Sequence, residues 1–325
     1  MALRDALERQ QVLVYAVVLP CAAAAGLMVP ASERLHILIE PVIGLLLYGM
    51  FTQIPFLELC SALRRHRFLG ALTLANFVFV PALVWLLTLL LPPGEPALLL
   101  GVLLVLLTPC IDYVIVFTHL GRGDATLTLA ATPLLFVAQM LALPVYLWLF
   151  LRGTAVMVEP EPFVHAFLVL IVLPLSAAII TQLWARRGPG LGTAVLAVAA
   201  WLPVPLMALT LFVVVASQIG MVAVHLDLIA RALPVYVAFL ICAPFLGRVA
   251  ARIFRLEAPA GRAVAFSAAI RNSLVVLPLA LALPAPTNAL VAAVIVTQTL
   301  VELAGVLVLV RVVPLLLPDR VAHGL

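Results

Sequence analysis

Apolar stretches of about 20 residues recur from one end of this chain to the other, each separated from the next by a short polar interval. Wound as a helix, a stretch of that length crosses the roughly 30 Å hydrocarbon core of a bilayer. The composition agrees. Of 325 residues 66% are hydrophobic and 10% charged, a balance that a soluble domain of this size cannot hide behind polar surface. Lipid is the expected solvent, and the expected fold class is an all-α membrane protein.

Ten spans are expected, at about 11–29, 36–56, 68–91, 97–120, 125–151, 162–184, 191–217, 228–247, 261–282 and 287–314. The intervals between them are short and marked by Pro and Gly, as at Pro92-Pro93-Gly94 and Arg187-Gly188-Pro189-Gly190. No linker divides the chain into soluble domains, so residues 1–325 read as one polytopic membrane domain. Arg4 and Arg9 precede the first apolar run and mimic a secretion signal. Because a second apolar span follows at about His36, a retained first helix is the expectation.

All 18 basic residues are arginine. A net charge of +4 raises the question of nucleic acid, but the arginines sit in short intervals between apolar spans, which is a topology signal rather than a phosphate-binding face. With the N-terminus inside, Arg4, Arg9, Arg64, Arg65, Arg67, Arg122, Arg186, Arg187, Arg248, Arg252, Arg255, Arg262, Arg311 and Arg320 fall on the cytoplasmic side. Arg34, Arg152 and Arg231 fall outside, and Arg271 lies within a span. Fourteen against three places both termini in the cytoplasm and favours an even number of spans.

The two halves of the chain resemble each other. Span four is interrupted at Cys110-Ile111-Asp112-Tyr113, and span nine at Ala269-Ile270-Arg271-Asn272-Ser273. Each is followed by a long apolar helix carrying a Thr and a polar group, Thr132 with Gln139 and Thr297 with Glu302. Five spans per half is an odd number, so the halves (11–151 and 162–314) insert with opposite topology. That is the inverted-repeat plan of secondary transporters, in which broken helices meet at the substrate site near the bilayer midplane and one helix bundle rocks against another.

The breaks carry the candidate chemistry. Pro109 removes a backbone donor and frees carbonyls that need new partners; this is either a packing kink or a working break lined by a cavity. Asp112 and Arg271 occupy matching positions, and a charge at the bilayer centre costs at least roughly 2.5–3.5 kcal/mol. They form either a structural ion pair or a gated pair whose members separate when substrate or a proton arrives. Glu302, mid-span, is either a neutral hydrogen-bonded acid or a proton carrier. Asp124, in the turn Gly121-Arg122-Gly123-Asp124, is suited to cap the fifth helix. Cys21, Cys60, Cys110 and Cys242 show neither a disulfide nor a zinc spacing, and no metal or cofactor is expected.

The run Pro109-Cys110-Ile111-Asp112-Tyr113-Val114-Ile115-Val116-Phe117-Thr118-His119-Leu120-Gly121-Arg122-Gly123-Asp124 resembles the fourth helix of the bile acid/sodium symporter superfamily. It is most similar to that superfamily's arsenite-efflux permeases, in which a cysteine stands at the place of Cys110 and the helix ends in a Gly-Asp turn. Gly44 to Gly49 and the stretch at Asn272-Ser273 resemble two further parts of the superfamily. The resemblance implies that Cys110 contacts trivalent arsenic or antimony, soft partners suited to sulfur. The chain also departs from the pattern. Sodium-coupled members carry polar groups in place of Val114 and Ile115, a carboxylate in place of Ser267 and a neutral ligand in place of Arg271. The arsenite permeases carry a glutamate where this chain has Leu274.

Together these features lead to the expectation of an inner-membrane secondary transporter that exports arsenite or antimonite in exchange for protons. Cys110, Asp112, Arg271 and Asn272 would bind substrate, Glu302 and Asp112 would couple, and Pro109 and Ser273 would mark the breaks. The alternative is a carrier of a small organic anion, coupled to sodium or protons, with Arg271 on its carboxylate or sulfonate. An enzyme is not expected, because the chain lacks a phosphate loop, a metal-ligand cluster and a soluble catalytic domain.

Overall fold

A computed structural model of the chain describes residues 14–53 apart from 16 and 19, 65–152 apart from 112, and 168–319 apart from 225, 282 and 284–286. Asp112, Cys60 and Arg64 therefore lie outside the described residues, as do the ends of the spans expected at 11–29, 36–56 and 162–184.

The described residues are helical. In order they form α1 (Ile39–Phe51), α2 (His66–Thr88), α3 (Pro96–Leu106), α4 (Val114–Leu120), α5 (Ala125–Phe150), α6 (Leu173–Ala185), α7 (Leu191–Ala199), α8 (Pro203–Val224), α9 (Leu226–Ala230), α10 (Leu233–Ile253), α11 (Ala258–Ala269), α12 (Ser273–Leu281) and α13 (Thr287–Leu316). A 3-10 helix, Pro30–Leu38, precedes α1. In lipid every backbone group must be satisfied within the protein, which selects helices for apolar runs of this length. Among the described residues three stretches are long and apolar enough to cross a membrane: α2 (His66–Thr88), α9 with α10 (Leu226–Ile253) and α13 (Thr287–Leu316). The count rises to five if the bent pairs Ala125–Thr132 with Leu134–Phe150 and Leu191–Ala199 with Pro203–Ser217 are each one span. This is a multi-pass membrane protein.

Local chemistry explains where the helices begin. Pro96 starts α3, where a missing N–H costs nothing. Asp124 caps α5, its Oδ1 accepting from the Leu127 N–H at 2.9 Å. Within α2, Ala75–Phe79 form a π-helical turn, a widening that frequently marks functional positions.

The chain divides into two compact units, and the division falls inside α9, α12 and α13. The first comprises Met1–Ile54, Val158–Leu226 and Leu277–Ala293. There α1 packs against α6 and α8. The Gln182 amide donates to the Phe51 and Thr52 carbonyls at 3.2 and 3.1 Å, closing the C-terminal end of α1.

The second unit comprises Pro55–Met157, Asp227–Val276 and Val294–Leu325. Its tightest joint is between α10 and α11. A Cβ at Gly247 would stand 2.5 Å from the Ala265 Cα, so this glycine is what lets the two backbones touch. At one end of the unit, buried Arg262 donates to the Leu317 carbonyl at 2.9 Å and the Arg122 carbonyl at 3.0 Å. Its other Nη lies 3.0 Å from Asp319. Large apolar side chains such as Leu141, 71% exposed, and Trp148 on α5 face outward, as lipid allows.

Candidate functional site

The helix expected over 97–120 is broken between α3 and α4, and the one expected over 261–282 between α11 and α12. Both breaks lie in the second unit. Pro109 and Arg271 pair there as an isolated antiparallel bridge. The Cys110 N–H donates to the Ile270 carbonyl at 3.1 Å, and the Asn272 N–H donates to the Thr108 carbonyl at 2.8 Å. Each break thus supplies partners for backbone groups the other has released. Inside a bilayer, where water cannot satisfy them, that exchange is what makes two interrupted helices tolerable.

Arg271 is fully buried. Its Nη2 donates to Asn76 Oδ1 at 2.9 Å and to the Ser267 carbonyl, and Nη1 donates to the Leu106 carbonyl at 3.4 Å. The Leu106 carbonyl closes α3, and the Ser267 carbonyl lies in the last turn of α11. The guanidinium therefore sits at the negative ends of two half-helices, where a cation is favoured. Its Cζ also lies 5.5 Å from the centre of the Phe239 ring. The amide of Asn76 is oriented by its own bonds. Its Nδ2 donates to the Leu72 carbonyl at 3.1 Å and to Ser267 Oγ at 3.0 Å, leaving Oδ1 for the arginine. Asp112, the partner expected for Arg271, is outside the described residues.

Glu302, on α13, is buried beside the same break. Its Oε2 accepts from the Arg271 backbone N–H at 2.8 Å and from Gln298 Nε2 at 2.6 Å. Its Oε1 lies 2.6 Å from the Tyr113 hydroxyl, which is also 2.9 Å from the Arg271 carbonyl. A hydroxyl has one proton and cannot give it to both oxygens. With a proton on Glu302 Oε1 the set closes: the acid donates to Tyr113, and Tyr113 donates to the carbonyl. Without that proton, Tyr113 must choose between the two.

Asn272 caps α12, its Oδ1 accepting from the Val275 N–H at 3.2 Å. Asn272 Nδ2 and the adjacent Ser273 Oγ are buried and have no hydrogen-bond partner among the described residues. Cys110 is also fully buried at the crossing. Gln298 Oε1, Arg271 Nε and both amide atoms of Gln139 are buried and unpartnered on the same terms. Among the described residues no cluster of three His, Cys, Asp or Glu side chains could hold a metal ion.

The structure thus brings Pro109, Cys110, Arg271, Asn272, Ser273 and Glu302 to one crossing. Sequence reasoning missed Asn76, Tyr113 and Gln298 as partners. Asn76 carried a signal, as the lone amide side chain in the apolar span 68–91.

A model described as the Sodium Bile acid symporter family matches residues 40–225, more than half of the chain. No curated protein matches the chain.

Proposed function

The chain belongs to the sodium bile acid symporter family, and on that premise we propose that it is a proton-coupled secondary transporter of a small organic anion. Members of that family are membrane transporters, which is consistent with a transporter rather than an enzyme. The anion reading rests on one observation: the N-terminus of α12 presents two buried donors, Asn272 Nδ2 and Ser273 Oγ, that no described residue uses. Half-helix N-termini in transporters receive anionic substrate groups, because the dipole and the free N–H groups favour negative charge. A carboxylate or sulfonate is the matching chemistry. Arg271 supports it with its field; both Nη atoms are already engaged, and its Nε alone is without a partner among the described residues. Glu302 carries the coupling proton, which the hydroxyl of Tyr113 reads.

The ten-span inverted repeat is part of the proposal. The first unit draws on the first two spans of each half, and the second unit on the third to fifth of the first half and the third of the second half. The ninth and tenth spans divide between them. Matching parts of the two halves thus fall together. The arginine asymmetry supports cytoplasmic termini, and the inner-membrane location leans on the family resemblance.

Uptake of radiolabelled small carboxylates and sulfonates into proteoliposomes tests the anion reading. Losing a hydrogen bond to a charged group costs about 1.5–3 kcal/mol, so Asn272→Ala should raise KM by roughly 10-fold or more, with Cys110→Ala near native. One observation favours a second reading, export of arsenite or antimonite: Cys110 sits at the crossing with its N–H on Ile270, and a soft thiol suits trivalent arsenic. Arsenite flux that requires Cys110, with no flux of any organic anion, would replace the first reading with the second.

A further inference from the structure

The family's name carries sodium, and half-helix C-terminal ends with unwound carbonyls are where secondary transporters hold a sodium ion. Here two such ends converge with one side-chain oxygen: the Leu106 carbonyl from α3, the Ser267 carbonyl from α11 and Asn76 Oδ1 from α2. All three residues are fully buried, and their oxygens accept from the two Nη atoms of one guanidinium. That guanidinium, of Arg271, is also fully buried. A sodium ion does not fit there. It would have to take oxygens already bonded to a fixed positive charge, in a place where the attraction and repulsion of ions are least screened.

We propose that Arg271 is a built-in cation that replaces sodium at this oxygen cradle, so that the chain works without sodium and loses that independence when the guanidinium is removed. Several observations agree. The guanidinium forms its bonds to neutral oxygens of the kind a hard monovalent cation takes. Asn76 is pinned through Leu72 and Ser267 so that only its oxygen faces inward. The Phe239 ring lies beside the guanidinium, 5.5 Å from Cζ to the ring centre, and its negative face suits a cation. The residue thus sets coupling-ion specificity by occupying the place of the ion. The proposal rests on the transporter reading only for naming sodium as the ion displaced.

The test is thermal unfolding of the purified full-length protein in sodium chloride against choline chloride at equal ionic strength, for the native chain, Arg271→Lys and Arg271→Ala. The native chain and Arg271→Lys should unfold at the same temperature in both salts. Arg271→Ala should unfold at least ~2 °C higher in ~100 mM sodium than in choline, because ligand binding to the folded state raises Tm. Sodium-dependent stabilisation of the native chain overturns the proposal, as does a folded Arg271→Ala indifferent to sodium. If Arg271→Ala is recovered only when purified in sodium, the proposal stands. If it is lost in both salts while Arg271→Lys is recovered in both, the cradle is not an ion-replaceable site. The readout needs no transported substrate, so this test and the anion-uptake test fail independently.

Discussion

Replacing Glu302 with glutamine separates the two protonation states of the crossing. Glutamine has the shape of a protonated glutamate. Its oxygen can accept from the Arg271 N–H and Gln298 Nε2, now at 2.8 and 2.6 Å from Oε2. Its amide can donate to Tyr113, now 2.6 Å from Oε1, which sends the hydroxyl proton to the Arg271 carbonyl 2.9 Å away. If the folded protein holds the neutral acid, all four contacts survive and the change in stability stays below about 1 kcal/mol. If it holds the carboxylate, three charge-assisted bonds of about 1.5–3 kcal/mol each are weakened or reversed, for a total loss of at least ~3 kcal/mol. At roughly 2 °C per kcal/mol for a chain of this size, that is a fall of about 6 °C in Tm. Thermal unfolding of the purified variant, with proton-driven uptake measured on the same preparation, reads both quantities. The expected result is a Tm within about 2 °C of native and proton-driven accumulation reduced at least ~10-fold. A fall near 6 °C would refute the neutral acid, and full accumulation would remove Glu302 from the coupling path.

Asp124→Ala should lower stability by about 1 kcal/mol through loss of the cap on Leu127, and Asp124→Ser should restore most of it, both read from thermal unfolding. Gly247→Val should prevent recovery of folded protein, because the new side chain meets the Ala265 backbone and neither helix can withdraw; size-exclusion chromatography in detergent checks it. Arg262→Ala should cost about 2–4 kcal/mol of thermal stability, since it removes the link from α11 to the Arg122 and Leu317 carbonyls and supplies no replacement donor.

Much of the helical layout is legible in the sequence, because a bilayer imposes one length and one polarity on whatever crosses it. The spans expected at 68–91, 228–247 and 287–314 fall on His66–Thr88, Leu226–Ile253 and Thr287–Leu316. The interruptions in spans four and nine were legible for the same reason: Pro109, Arg271 and Asn272 are too costly in lipid to be incidental. Their pairing was another matter. That Pro109 faces Arg271, that Asn76 reaches the guanidinium, and that Tyr113 meets Glu302 depends on how helices distant in sequence cross. Residue spacing carries no record of that. The π turn over Ala75–Phe79 had no sequence signal to anticipate it, whereas the bend of α5 after Thr132 did have one, Pro133, that sequence reasoning missed.

The most direct measurement is accumulation of a small organic anion in proteoliposomes holding the native chain, under an imposed proton gradient and with choline in place of sodium. The account expects accumulation that collapses when a protonophore dissipates the gradient and that is unchanged when sodium is added. Accumulation that requires sodium, or no accumulation of any anion above protein-free liposomes, would contradict it.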